Sequence, residues 1–238
     1  MSELSLDTTE AFAELGRIKL GDTNLAGVLD RIAELAKRSI PGAEEVSVTL
    51  IRGDDAYTAA FTGQLALRLD ESQYQKGHGP CLDAAQSGAT MSVPDMSSET
   101  RWPDWAARAR TEGALSSMSI GLPIQEAVVG ALNVYGAKPD AFDDDDVLQA
   151  QTFAGYAAVA LANAHLYDTT ATLAQQMQAA MESRAVIEQA KGIIMGERRC
   201  TADEAFAILA KVSQDSNRKV REVATALVDR AKQPPPKP

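Results

Sequence analysis

Cysteine and histidine are scarce in this chain, with two of each among 238 residues. Cys81 and Cys200 stand far apart and in no paired spacing. That excludes a disulfide framework or a zinc knuckle and suits a reducing compartment. His78 and His165 are too few for a multi-histidine metal site within one chain. Long apolar runs are missing as well. The longest, FAGYAAVALANA from Phe153 to Ala164, is too short and too alanine-rich to cross a bilayer, so no membrane partner is expected. The opening MSELSLDTTE is acidic where a secretory signal is basic. It argues against export and for a cytoplasmic protein.

What the chain has in excess is negative charge, and its distribution is uneven. The net charge is −10, yet residues 184–232 carry a balance of +3 against −14 for residues 1–182. A small basic module behind an acidic body points to a polyanionic partner. Hydrophobic content of 45% with 24% charged residues is that of a folded chain, long enough for one or two domains.

Leu25, Val28, Leu29, Ile32, Leu35 and Ala36 recur at helical spacing until Pro41-Gly42 ends the pattern. Val46–Arg52 and a run near Tyr57–Thr62, separated by Gly53-Asp54-Asp55, predict a hairpin. Residues 65–76 read as irregular. A short helix is expected from Pro80 to Gly88, a strand at Thr90–Val93 and a helix from about Pro103. Two further strands follow, Ser116–Ile124 and Val128–Ala137, and a long helix starts near Asp143, which caps it. Four consecutive aspartates there are explained by the helix dipole rather than by a metal. This order predicts an α+β domain, an antiparallel sheet with helices on one face, followed by a long helix and an all-α module of three helices.

The motifs GHGPCLDA (Gly77–Ala84), VPDM, RWPDWAARA, GALNVYG (Gly130–Gly136) and the stretch Ala141–Ala164 make residues 23–165 resemble a GAF domain. The segment from Arg184 to Lys232, through VIEQAKGIIM, TADEAFAIL and SQDSNRKVREVA, resembles an ANTAR domain. The pairing is similar to transcription antitermination regulators of the actinobacterial type. The resemblance implies a GAF sensor (23–165), a helical linker with a coiled-coil seam (166–183) and an RNA-binding module (184–232). A helical N-terminal extension (1–22) and a disordered proline-rich tail (233–238) complete the division. It also implies the partner: paired stem-loops in nascent transcripts, whose binding prevents a terminator from forming. Leu166, Leu173, Met177 and Ala180 have the spacing of a seam, weakened by Thr170, and predict a homodimer presenting two modules to two hairpins.

The ANTAR resemblance implies Lys191 and Gly192, with Ser213, Gln214, Asn217, Arg218 and Lys219, as the candidate RNA contacts. Gly192 either admits a close backbone or begins the end of a helix closing at Gly196. Thr201 and Glu204 have capping-box spacing, and Asn217 reads as the N-cap of the third helix. Phe206 reads as buried with Ala205, Ile208, Leu209 and Val212, leaving recognition to charge and polar groups, strongly salt-dependent.

In the front domain the resemblance places a ligand pocket between sheet and helices, lined by Arg101, Trp102, Trp105 and Met118. The input there is an unidentified small molecule or a protein. His78 three residues before Cys81 suggests a dyad, but no third group orients the base, and a tight turn explains the same residues. A redox role for Cys81 rests on a helix N-terminus lowering its pKa. The split Asn133…Lys138 pair is a poor match to a cyclic-nucleotide signature, and haem ligation by His78 or His165 has no specific support. No catalytic residue, metal or cofactor is therefore assigned. A helix-turn-helix regulator binding DNA is the alternative reading, and an enzyme on the same fold is a third. The SQDSN connection lacks the glycine often found in a helix-turn-helix.

Overall fold

A computed structural model describes residues 8–18, 23–53, 55–125 and 128–232. The expected tail at 233–238, Asp54 of the hairpin turn, and residues 1–7 and 19–22 of the expected N-terminal extension (1–22) lie outside them. The chain divides into two compact units, one ending at Asp168 and the other beginning at Thr169.

In the first unit, helices α1 (Thr8–Gly16) and α2 (Leu25–Ser39) precede the hairpin of β1 (Glu45–Arg52) and β2 (Asp55–Phe61). Helices α3 (Gln64–Lys76) and α4 (Pro80–Ser87), strand β3 (Thr90–Val93) and helix α5 (Pro103–Glu112) come next. Strands β4 (Ser116–Gln125) and β5 (Val128–Gly136) complete the sheet, and α6 runs from Asp144 to Arg198. The strands order as β2-β1-β5-β4-β3, antiparallel at every pairing.

Both faces of this sheet are covered, which corrects the expectation of helices on one face only. Along β1, β4 and β5, Val46, Val48, Leu50, Met118, Ile120, Leu122, Leu132 and Val134 point to one side. There they pack with Ile32 and Leu35 of α2 and with Phe153, Ala157 and Leu161 of α6. Ala11 and Leu15 of α1 join the same core. The alternate positions are Ser47, Thr49, Ser117, Ser119, Asn133 and Tyr135, all buried. They face α3, α4 and α5. A period-2 pattern of polar residues reads as a solvent face, but here it is an interior one.

Helix α3 occupies the stretch expected to be irregular. Glu45 of β1 explains its start, because the Glu45 carboxylate accepts from the Ala66 amide at 2.8 Å and supplies the anion a helix N-terminus favours. Gly77 in the left-handed conformation closes it. Gly121 in β4 marks the closest approach between layers. A Cβ there would lie 2.5 Å from the Ala84 carbonyl oxygen and 2.6 Å from Gly88 Cα. Glycine is what lets α4 rest on the sheet.

At the start of α6, Asp143 Oδ1 accepts from the Asp146 amide at 2.9 Å and Asp146 Oδ2 accepts from the Asp143 amide at 3.1 Å. Reciprocal capping of this kind accounts for the acidic run. In the second unit α6 continues to Arg198, past Gly196, and is followed by α7 (Ala202–Ser216) and α8 (Val220–Ala231). Ala190 and Ile194 of α6, Ala205 and Leu209 of α7, and Ala224 and Val228 of α8 form its small core.

Candidate functional site

The sheet face beneath α3 and α4 is a connected set of polar groups centred on Asp70, which is fully buried. Tyr135 donates its hydroxyl to Asp70 Oδ1 at 2.6 Å, and Thr58 donates to Oδ2 at 2.9 Å. Asn133 Nδ2 reaches Asp70 Oδ1 at 3.4 Å, Thr49 Oγ1 at 2.9 Å and Ser47 Oγ at 3.2 Å. The Tyr74 hydroxyl lies 2.9 Å from both Thr49 Oγ1 and Thr58 Oγ1. Strand register builds this cluster, since Ser119 and Ser47 sit opposite Asn133 from either side.

Burial pushes the Asp70 carboxyl from 3.8 up to about 6, even though every donor around it favours the charged form. All these donors are neutral. Tyr74, Tyr135 and Cys81 face the same carboxylate, and each is held above its ordinary range by burial and then by the Asp70 charge. Two further atoms of this polar sheet face, Asn133 Oδ1 and Ser117 Oγ, have no hydrogen-bond partner among the described residues. Outside the cluster a groove of about 360 Å³ is lined by Ile51, Ala56, Tyr74, Leu82 and Gln86, among others. Tyr74 belongs to both.

Of the four pocket residues expected from the sequence, Arg101, Trp102 and Trp105 are neighbours and Met118 lies apart. Trp102 and Trp105 are buried on the α3–α5 side, packed with Leu69 and Tyr135. Their indole N–H groups donate to Asp83 Oδ2 at 3.1 Å and to the Leu69 carbonyl at 3.3 Å. Arg101 is at the surface, its guanidinium 4.4 Å from the Trp102 ring centroid and paired with Glu99 at 2.6 Å. Met118 belongs to the opposite, apolar face. Because β4 alternates, Ser117 and Ser119 occupy the position that was assigned to Met118.

Asp70, Gln73 and Tyr74 escaped the sequence reading because a helix turning polar residues inward has no apolar stripe to reveal it. The available signal was the run of polar alternations in β1 and β5, whose partner had to be polar too. The thiol of Cys81 is wholly buried, and burial raises its pKa, so the lowering expected from the helix N-terminus is outweighed. His78 is exposed, so no dyad with the buried thiol is formed. Gln73 Oε1 instead accepts from the Cys81 amide at 2.9 Å.

In the second unit, the candidate residues Ser213, Gln214, Asn217, Arg218 and Lys219 form the corner between α7 and α8. Asn217 closes α7 in the left-handed conformation, with φ 50° and ψ 38°, rather than opening α8 as expected. Asparagine tolerates that region, and the Arg218 amide then reaches the Ser213 carbonyl at 3.1 Å, as in a Schellman ending. The Ser213 hydroxyl also donates to the Arg218 carbonyl, so this serine shapes the turn. Lys219 is the residue before α8 and offers no side-chain cap. Arg218, Lys219 and Arg221 thus surround a helix N-terminus that is already positive.

Lys191 and Gly192 lie on α6 and share no hydrogen bond or ion pair with that corner among the described residues. Lys191 pairs with Glu188 at 2.9 Å and its side chain is only 16% exposed. A Cβ on Gly192 would meet nothing within 4 Å, so no close approach within the chain requires glycine there. The helix also passes Gly196, which removes the reading of Gly192 as the start of its end. Thr201 and Glu204 form the expected capping box. Phe206 is 45% exposed, with Ile208 and Val212 similarly open, contrary to the expected burial. A three-helix core this small holds only Ala205 and Leu209 of α7.

Among the described residues, no helix is long and apolar enough to cross a membrane, and no group of three acidic, histidine or cysteine residues is placed to hold a metal.

The family model of the GAF domain matches residues 22–162, and that of the ANTAR domain matches residues 175–228. No curated protein matches the chain. Among solved structures, the chain is similar to the free methionine-R-sulfoxide reductase of Neisseria meningitidis at 20% identity and a TM-score of 0.52, covering 72% of this chain and 95% of that one. It is similar to the GAF domain of an Acinetobacter phosphoenolpyruvate-protein phosphotransferase at 17% identity and TM-score 0.51, covering 70% and 97%. A phycocyanobilin-bound GAF domain from a cyanobacterial phytochrome aligns at 15% identity and TM-score 0.52, covering 68% and 98%. At such identities the likeness establishes the fold alone. The chain belongs to the GAF domain family and carries an ANTAR domain behind it, the architecture of a signal-responsive RNA-binding regulator rather than of an enzyme.

Proposed function

We propose that the chain is a cytoplasmic antitermination regulator whose ANTAR unit binds paired stem-loops in nascent mRNA under control of the GAF unit. The observation that carries this reading is the α7–α8 corner, where Arg218, Lys219 and Arg221 gather at a helix start lacking a side-chain cap. Glu222 in the first turn of α8 lies 3.8 Å from Arg218 and offsets part of its charge, so free amides, the helix dipole, Lys219 and Arg221 are the main attraction for phosphate. Gln214 and Asn217 add polar side chains at the same corner for loop bases. Lys191 must leave Glu188 to join them, so its share of the binding is the smaller one.

A homodimer supports this function. Leu166, Leu173 and Met177 are 61%, 55% and 59% exposed, an apolar seam uncovered by the described residues. Two modules on one dimer bind two hairpins with the gain of effective concentration. Leu173→Asp gives a monomer by sedimentation and weakens binding to tandem hairpins more than to a single hairpin.

The test is fluorescence anisotropy with tandem stem-loop RNA against a scrambled RNA over a salt series. Preference for the stem-loops is expected, with Lys219→Ala weakening binding and flattening the salt dependence by about one ion. Equal affinity for both RNAs removes the reading. The DNA alternative gains from one feature, the left-handed Asn217 that replaces the missing turn glycine. Duplex DNA outcompeting hairpin RNA selects it.

A further inference from the structure

We propose that the buried Asp70 cluster is the recognition site for a small organic cation bearing several N–H donors, of the amidinium or primary ammonium class. This rests on reading the GAF unit as the sensor, and it names the chemistry of the input.

The argument begins with charge. A carboxylate removed from water needs a cation, or it becomes costly to the fold. Asp70 has neutral donors only: Tyr135, Thr58 and Asn133. The groups facing it from each packed element are Thr58 of β2, Ser47 and Thr49 of β1, Asn133 and Tyr135 of β5, Tyr74 of α3 and Cys81 of α4. No lysine, arginine or histidine is among them. Among the described residues no cation of the chain faces Asp70, so a countercharge for its ionised form comes from a ligand.

The open valences point the same way. Asn133 has committed its amide nitrogen to Thr49, Ser47 and Asp70, which leaves Oδ1 as a buried acceptor without a partner. Ser117 Oγ, two residues along the same face of β4 from Ser119, is also unpartnered. A carboxylate beside an unused carbonyl-type oxygen calls for a ligand that donates at least twice and carries positive charge. Amidinium and ammonium groups do this, whereas anions and neutral acceptors do not. A hard metal ion is a poorer fit, because a single carboxylate supplies too little charge for calcium or magnesium.

The approach is through the groove of about 360 Å³ at Ile51, Ala56, Tyr74, Leu82 and Gln86. Tyr74 lines the groove, and its hydroxyl holds Thr49 and Thr58, the latter bonded to Asp70. A donor group arriving at the carboxylate takes over the Oδ2 acceptor that Thr58 now uses and leaves Thr58 to its bond with Tyr74. Binding therefore rearranges β2 and α3 together, which is what a sensor requires.

The experiment is calorimetric titration and thermal unfolding of the full chain with acetamidinium chloride, set against the neutral isostere acetamide and against sodium chloride at equal ionic strength. Methylammonium against methanol repeats the comparison for an amine. The expected result is saturable, millimolar binding by the cations alone, as befits fragments of so few atoms. It is lost in Asp70→Asn, and in the unaltered protein it weakens about tenfold as pH falls through the carboxyl titration from neutral to about 5. Equal responses to acetamidinium and acetamide, persistence in Asp70→Asn, or the absence of saturable binding overturns the proposal. RNA affinity of the same preparations is read separately. Loss of stem-loop preference with cation binding intact refutes the antitermination reading and leaves this site standing, while the reverse outcome removes the site alone.

Discussion

Replacing Asp70 by asparagine stabilises the GAF unit at neutral pH, and the size of the effect follows from the carboxyl's surroundings. In the unfolded chain this group titrates at its ordinary value of 3.8, and in the fold at about 6. Below the lower value both states are protonated and no penalty exists. Between the two, the folded state holds a proton that the unfolded state has released, so stability falls as pH rises. Above about 6 the loss is complete and amounts to roughly 3 kcal/mol. Asparagine keeps the acceptor for Tyr135 but never ionises, so its stability curve lacks this descent.

Any fixed cost of the substituted amide, such as an N–H that Thr58 receives poorly, shifts the whole curve and leaves its slope alone. The quantity to follow is therefore the difference between variant and parent as a function of pH. Urea unfolding reports it cleanly through tryptophan fluorescence, because the two tryptophans of the chain, Trp102 and Trp105, both lie in the first unit beside Tyr135. The second unit contributes no signal, which avoids a two-state assumption for the whole chain. The difference should grow by roughly 2.5 kcal/mol between about pH 4 and pH 8. A difference that stays constant across that range refutes the claim that an ionised, unpaired Asp70 burdens this fold.

Three other substitutions or modifications test the packing. Gly121→Ala forces a methyl group against the Ala84 carbonyl and the Gly88 backbone, and it should cost at least ~1–3 kcal/mol in the same fluorescence assay. Thr201→Ala removes the hydroxyl that accepts from the Glu204 amide, with a loss of about 1 kcal/mol visible as faster amide exchange in α7. In the native protein iodoacetamide should modify Cys200, which is partly exposed, and spare Cys81, which is wholly buried with a raised pKa. Mass spectrometry before and after urea reads both sites, and rapid native labelling of Cys81 contradicts the burial described.

The elements that could be read from sequence are those with local punctuation. Gly88 and Gly113 both take the left-handed conformation at the ends of α4 and α5, and Pro80 and Pro103 open the same helices, so their boundaries are written in neighbouring residues. The capping box at Thr201 is equally local. Helix α3 has no such signature: its start is capped from β1 by Glu45, and its inward face includes Asp70 and Gln73. Only the polar sheet face explains that helix, and it is assembled from strands more than eighty residues apart in sequence. The assignment of Met118 to the pocket failed for a related reason, since period-2 alternation reveals two faces but not which one meets a ligand. Asn217 was ambiguous in a different way. Asparagine suits both a helix N-cap and a left-handed C-cap, and the backbone angle alone separates them.

The two sheet faces divide stability from sensitivity, and the strands carry both. On β1 and β5 each residue contributing to the apolar core, such as Val48 or Val134, neighbours one in the polar cluster, Thr49 or Asn133. The apolar side, sealed by α2 and the first part of α6, supplies the favourable burial that allows the other side to hold an unpaired carboxylate. A cation neutralising Asp70 removes the largest unfavourable charge in that interior, and so tightens the packing of α3 on β1 and β5. Those strands also pack on the first part of α6 through Val48, Val134 and Leu161, so the proposed ligand on the polar face draws on the packing of the apolar one. Core substitutions on the apolar face are therefore expected to change the affinity for acetamidinium, read by calorimetry, without touching its site.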